Sequence, residues 1–254
     1  MTSIGADGSI RNDWQPSESW VPDAMREAAM DDLRLVYDSS NYVFLVTLTH
    51  PDHGHGLGIY KPRRGERPLY DFPSATLYRR EIAAYELSRL LGWQLVPPTV
   101  EAEGPQGVGS LQLFIEHNPA EHYFELRDRD VYDEQFVRFA AFDLLANNAD
   151  RKGGHLLLDP AGHVWGIDNG LCFHEMQKLR TVIWDYSGSE LPEPWLEDIR
   201  RAVACLPASD EAAALRGCLR RDELAALIDR CRDLLARPVL PEMYPYRCVP
   251  WPLV

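Results

Sequence analysis

From residue 33 onward the apolar positions fall into short runs broken by turn-forming residues. "LRLVYDSSNYVFLVTLTH" reads as two strands joined at Asp38-Ser39-Ser40-Asn41, and "GLGIYKP" as a third strand that Pro62 ends. Together they predict an antiparallel meander. After the loop "RRGERPLYDFPSAT", the segment "LYRREIAAYELSRLLGW" carries Ile82, Tyr85 and Leu90 at helical spacing and stops near Gly92. Two further strands are expected in "VPPTVEAEGPQGVGSLQLFIEH", around a Gly- and Pro-rich turn.

The second half changes period. "DEQFVRFAAFDLLAN" is an amphipathic helix with Phe136, Phe139, Ala140 and Leu144 on its apolar face, and it runs into the polar stretch "NNADRKGGHLLLD". Two apolar runs then flank Asp159-Pro160-Ala161-Gly162, which predicts a hairpin. Three more helical segments follow, and no internal repeat is present. The expected fold class is α+β with two lobes: a strand-rich N-terminal lobe with one helix over residues 31–118, and a mainly helical C-terminal lobe with a short hairpin over 119–237. Residues 1–30 read as a loose polar leader and 238–254 as a proline-rich tail.

Composition narrows the function classes. At 254 residues the chain can bury a sizeable core, and its formal charge of −13 disfavours nonspecific affinity for nucleic acid or an anionic membrane. No apolar run reaches the ~18 residues of a membrane span, and the N-terminus lacks the basic and apolar regions of a secretory signal. A cytoplasmic protein with no integral membrane association and no nucleic-acid partner is expected. The five cysteines form no Cys-x-x-Cys pair and leave one over, which suits reduced thiols. Positive charge gathers locally between Lys61 and Arg80, as a solvated face or as a site for phosphates.

Strands, one helix, strands, then a helix, a polar loop and a hairpin form the layout of a kinase. Phosphoryl transfer requires a lysine on the phosphates, a glutamate orienting it, a carboxylate facing the acceptor hydroxyl, and metal ligands. Lys61 lies on the third strand, and Glu81 follows twenty residues later in the next helix. Asp150 precedes His155 by five positions, as a catalytic-loop aspartate precedes a metal-binding side chain. Gly153 and Gly154 let the backbone turn tightly between them. The hairpin then delivers Asp168-Asn169-Gly170, where a protein kinase carries Asp-Phe-Gly.

The segments "GIYKP", "YRREIAAYELS", "GSLQLFIE", "LLANNADRKGGHLLL" and "WGIDNGLCFH" resemble the phosphatidylinositol 3-/4-kinase-like atypical kinases, and most closely their small actinobacterial members. The likeness spans about residues 33–184. It implies ATP as cofactor, with Ser40 and Asn41 near the phosphates, Lys61 on them, and Glu81 paired with Lys61; Glu86, further along the helix, is the alternative partner. It also implies backbone groups of Phe114 and Ile115 at adenine, Asp150 facing the acceptor hydroxyl, and Asp168 holding the metal. Arg151 either holds the catalytic loop against another carboxylate or contacts ATP. His155 stands where the family places asparagine. As a ligand beside Asp168, a neutral imidazole would favour Mn²⁺ over Mg²⁺; otherwise it hydrogen-bonds Asp168 or a phosphate, or caps the strand.

The function implied is an ATP-dependent phosphotransferase acting on a protein hydroxyl or a small polyol or metabolite. An adenylyltransferase on the same fold and a noncatalytic nucleotide-binding pseudokinase are the alternatives. The acceptor is unassigned; residues 170–188 form the expected acceptor-side loop, where Lys178 and Arg180 suggest an anionic acceptor or a charged peptide.

Overall fold

The computed structural model describes residues 11–36 and 41–254. Five antiparallel strands, β1 (Ala29–Leu35), β2 (Phe44–His50), β3 (Gly54–Pro62), β4 (Thr99–Gly104) and β5 (Gly107–Leu113), form one sheet in the order β1-β2-β3-β5-β4. The predicted meander is therefore present, and β5 pairs with β3 so that Lys61 lies opposite Ser110. Pro62 ends β3, as its missing N–H requires.

The leader departs from expectation. Residues 1–10 lie outside the described residues, but from Asn12 onward the chain is built into the sheet. Asn12 is buried; its amide donates to the carbonyls of Leu57 (3.1 Å) and Phe114 (2.7 Å), while its Oδ1 accepts from Leu57 N (2.9 Å). Trp14 covers Gly56 so closely that a Cβ there would stand 2.4 Å from the indole, which is why this strand position carries glycine. A helix, α1 (Val21–Glu27), follows and buries Val21, Ala24 and Met25. Together with Trp14, Val46, Leu48, Tyr60, Val100 and Leu111 they make a core belonging to the sheet. Apolar burial and buried hydrogen bonds thus order a segment whose mean polarity suggested a loose leader.

α2 (Leu77–Leu91) ends at Gly92, which takes the left-handed conformation (φ 75°) and donates to Arg89 O, while Trp93 N reaches Ser88 O. It contacts β4 and β5, yet its apolar residues Ala83, Ala84, Leu87, Leu90 and Leu91 share one core with the helical half. That half contains α3 (Tyr123–Leu126), α4 (Asp133–Ala146), the hairpin β6 (Leu156–Leu158) and β7 (Val164–Gly166), and then α5 (Glu193–Cys205), α6 (Ala213–Cys218) and α7 (Arg221–Ala236). α4 runs through the middle. It buries Phe142 and Leu145 as well as Phe136, Phe139 and Ala140, whereas Leu144 is only partly buried.

The proline-rich tail is also ordered. It runs back beside residues 177–191, with Leu191 N donating to Pro238 O (2.8 Å), Leu240 N to Ser189 O (2.9 Å) and Thr181 N to Cys248 O (3.0 Å). It ends on the polar loop after α4, where Gly153 N donates to Leu253 O at 2.7 Å.

Candidate active site

A cavity of about 760 Å³ opens between the sheet and the helical half, with Lys61, Glu81, Ile115, Asp150, His155 and Asp168 among its lining residues. β3 carries Lys61 to its wall and α2 carries Glu81 towards it. The Lys61 Nζ lies 2.5 Å from Glu81 Oε1 and 3.0 Å from Asp168 Oδ1. Burial opposes charge on this lysine, but Asp168 and Glu81 more than offset it and hold the ammonium above the usual lysine range. Reciprocally, Lys61 holds the Asp168 carboxyl well below the usual carboxylate range. Glu86 plays no part here, since it pairs with Arg89 on the same helix.

Asp168 follows β7 with a left-handed backbone (φ 56°), and its side chain is 52% exposed to the cleft. Its neighbour Asn169 is held at three points. Asn169 N donates to Glu81 Oε2 (2.9 Å), so one glutamate fixes the lysine with one oxygen and the Asp168 turn with the other. Asn169 Oδ1 accepts from Arg151 (2.7 Å), and its amide donates to Gly166 O (3.2 Å).

Arg151 is wholly buried. Its guanidinium donates to both oxygens of Asp143 at 3.0–3.1 Å and to Ile167 O at 2.8 Å. Nothing of it reaches the cleft, so its contacts brace the loop from behind. Asp143, which the sequence reading did not single out, is therefore a principal anchor: it also accepts from Asn148 (3.1 Å) and Thr181 (3.2 Å). A carboxylate in an otherwise apolar helix stretch was the signal available for it. Asn147, left-handed at the end of α4 (φ 51°), donates to His174 O and Met176 O and so ties residues 174–176 to the loop that follows α4.

Asp150 stands at the other side of the cleft with Lys152 Nζ 3.4 Å from its Oδ2. Burial raises its pKa, against the opposing charges of Lys152 and Arg180. His155 lies between the two aspartates' loops: Nε2 is 3.4 Å from Asp168 Oδ2, and Nδ1 accepts from Lys152 N at 3.3 Å. Burial pushes its pKa down to about 4, so the ring is neutral at pH 7. With Nδ1 accepting a backbone N–H, the neutral ring carries its proton on Nε2, the nitrogen nearer Asp168.

The adenine-side residues divide. Phe114 lines the cavity with both backbone groups engaged, its N–H with Leu57 O (3.0 Å) and its carbonyl with Asn12. Ile115 O accepts from His117, while Ile115 N has no hydrogen-bond partner among the described residues. Asn41 lines the cavity and accepts from Arg67 N at 2.9 Å; Ser40 lies outside the described residues. Of the two basic residues proposed for the acceptor, Lys178 is bound to Asp71 at 2.7 Å, which disqualifies it as a free cation. Among the described residues no three His, Cys, Asp or Glu side chains converge as a self-sufficient metal cage.

Comparison with known proteins bears on the family and the fold. The family described as phosphatidylinositol 3- and 4-kinase matches residues 98–221, from β4 to the start of α7. Protein Rv2133c of Mycobacterium tuberculosis is 39% identical over 227 residues, covering 76% of this chain and 81% of that protein. Phosphatidylinositol 4-kinase gamma 4 of Oryza sativa subsp. japonica is 30% identical over 156 residues, which are 54% of this chain and 27% of the plant protein. Among solved structures, a hydra Fam20 with sugar aligns at TM-score 0.53 and 16% identity over 92% of both chains. A Golgi casein kinase with Mn/ADP bound aligns at TM-score 0.51 and 13% identity, over 87% of this chain and 76% of that one. The chain belongs to the family of Protein Rv2133c, its residues 98–221 match the phosphatidylinositol 3- and 4-kinase family, and its fold is kinase-like.

Proposed function

We propose that this protein is an ATP-dependent phosphotransferase whose acceptor is a protein hydroxyl or a small polyol or metabolite. One observation carries the reading: Lys61, held by Glu81, faces Asp168 across 3.0 Å in the same cavity that Asp150 lines from the acceptor side. Lys61 binds the phosphates as a fixed cation, and Ile115 N–H takes the adenine edge that Phe114 cannot. Asp150, partly desolvated, orients the acceptor hydroxyl and takes its proton, while Arg151 and Asp143 keep its loop rigid.

A divalent cation fits this donor set only together with nucleotide. Mg²⁺ is commonly held by one or two carboxylates plus substrate phosphates, and Asp168 supplies a hard, half-exposed carboxylate without a preformed cage around it. When bound, such an ion neutralises charge on the transferring phosphates. In our reading the neutral His155, with Nε2 3.4 Å from Asp168 Oδ2, neighbours that carboxylate without being a metal ligand, so the Mn²⁺ preference that an imidazole ligand would bring does not follow.

Calorimetry with ATP in the presence and absence of Mg²⁺ tests the site. ATP should bind only with the cation, and Asp168→Ala should abolish binding while the far-ultraviolet spectrum is kept; equal affinity in the two proteins would refute the assignment. Incubation with γ-labelled and, separately, α-labelled ATP plus a cell extract then identifies the group transferred. Label passing from the γ position alone is expected, whereas transfer of the α label would establish adenylylation instead.

A further inference from the structure

Beside Glu81 on α2 stands Arg80, a guanidinium with only 2% of the residue exposed. It donates to Cys172 O at 2.5 Å and pairs with Glu223, and it lies over the Phe72 ring at 4.9 Å. Glu223 is itself 2% exposed. It is the third residue of α7, and its second oxygen accepts from Arg220 N (2.9 Å) in a capping box that fixes the start of that helix. Consecutive residues of α2 thus grip the segment after Asp168 at two points, Glu81 at the amide of Asn169 and Arg80 at the carbonyl of Cys172. The same arginine then ties α2 to the last helix of the molecule.

Three separate features hold α2 inward: the buried ion pair to α7, the double grip on the Asp168 segment, and the five apolar side chains that α2 places in the core of the helical half. In kinases switched by movement of the corresponding helix, the lysine–glutamate pair assembles only in the active position. Moving α2 outward here would strip a buried ion pair of its partner and withdraw Ala83, Ala84, Leu87, Leu90 and Leu91 from their contacts.

We propose that Arg80 and Glu223 are positioning residues that lock α2 and the Asp168 segment to α7, so that the Lys61–Glu81–Asp168 arrangement is permanently assembled and not gated by a swing of α2. The proposal rests on the phosphotransferase reading for its catalytic consequence, but the lock itself can be measured without nucleotide.

The test is the double variant Arg80→Met/Glu223→Gln, which removes both buried charges together and leaves glutamine able to serve the capping box. Amide hydrogen exchange of the nucleotide-free protein should accelerate about tenfold or more at residues 169–173, with the α4 and α5 amides unchanged. ATP–Mg²⁺ affinity should fall by about tenfold with the melting temperature within a few degrees of wild type. A lowered melting temperature with unchanged exchange at 169–173 and unchanged nucleotide affinity would overturn the proposal and make the pair purely structural. Should the double variant fail to fold, Arg80→Lys, which keeps the charge but cannot span both Cys172 O and Glu223, is measured in the same way; wild-type exchange at 169–173 in that protein overturns the proposal equally. If wild type binds no ATP–Mg²⁺, the phosphotransferase reading fails, and the exchange measurement still decides whether the lock exists.

Discussion

The sheet and the helical half are held together by different means. The sheet closes over its own core, with Trp14, Val21 and Met25 from the first residues supplying its cover. The helical half is organised around α4 and claims α2 as well, although α2 lies between β3 and β4 in the chain. Of the five site residues Lys61, Glu81, Asp150, His155 and Asp168, Lys61 stands on the sheet, and the other four stand on the other body or on elements packed into it. The difference teaches where flexibility can be tolerated. Under the proposed phosphotransferase reading, acceptor chemistry falls within one unit, whereas phosphate binding depends on how the sheet is seated against that unit.

This comparison can be tested first on catalysis. Asp150→Asn should lower transfer by roughly 10²- to 10⁴-fold, the usual reach of a general base, with ATP affinity kept. Lys61→Met, on the sheet side, should chiefly weaken ATP binding. Steady-state kinetics alongside calorimetry separates the two, and a shared pattern for both variants would mean that the cleft does not divide as described.

Next in size is the anchor inside the helical body. Asp143→Ala leaves the wholly buried Arg151 without its carboxylate, and breaking such a pair from one side costs about 3–5 kcal/mol. Urea denaturation followed by tryptophan fluorescence measures this, and a loss under about 1 kcal/mol would show that Arg151 finds other support. The equivalent disturbance in the sheet is Trp14→Ala, which opens a void over Gly56 and should cost about 3 kcal/mol. If the two cores are energetically separate, exchange should accelerate in β2 and β3 while α4 stays protected. Uniform acceleration would merge them into one cooperative unit.

Much of this is legible in the sequence. Lys61, Glu81, Asp150 and Asp168, which line one cavity, could be singled out because each sits on a recognisable element. The strands and helices were legible because their apolar spacing is local. The remainder depends on distant partners. Asn12 bonds residues 45 and 102 positions away, which no local pattern in a polar leader announces. Asp143 and Arg80 read as ordinary helix charges until Arg151 and Glu223 are seen against them. Phe114 shows the reverse case: its place at the end of β5 was evident, but Asn12 and Leu57 had already taken its backbone groups.

The smallest effect sharpens the boundary between the bodies at His155. Its folded-state pKa of about 4 lies below its ordinary 6.5, so the unfolded chain takes the proton first. Stability from burying the neutral ring is therefore fully present above pH 6.5, is lost as pH falls from 6.5 to about 4, and changes no further below that; the loss is at most roughly 3 kcal/mol. Asp168 and Asp71 are depressed from 3.8, so their own losses fall lower on the scale. Asp150, raised by burial, acts in the opposite sense as pH falls, so the informative quantity is the difference between wild type and His155→Asn. We expect the variant to show a flatter stability profile between pH 6.5 and 4 in urea titrations. Its preference between Mg²⁺ and Mn²⁺ in ATP binding should match wild type under the proposed reading, in which His155 neighbours Asp168 without being a ligand. A shift of that preference toward Mg²⁺ in the variant would return His155 to the metal.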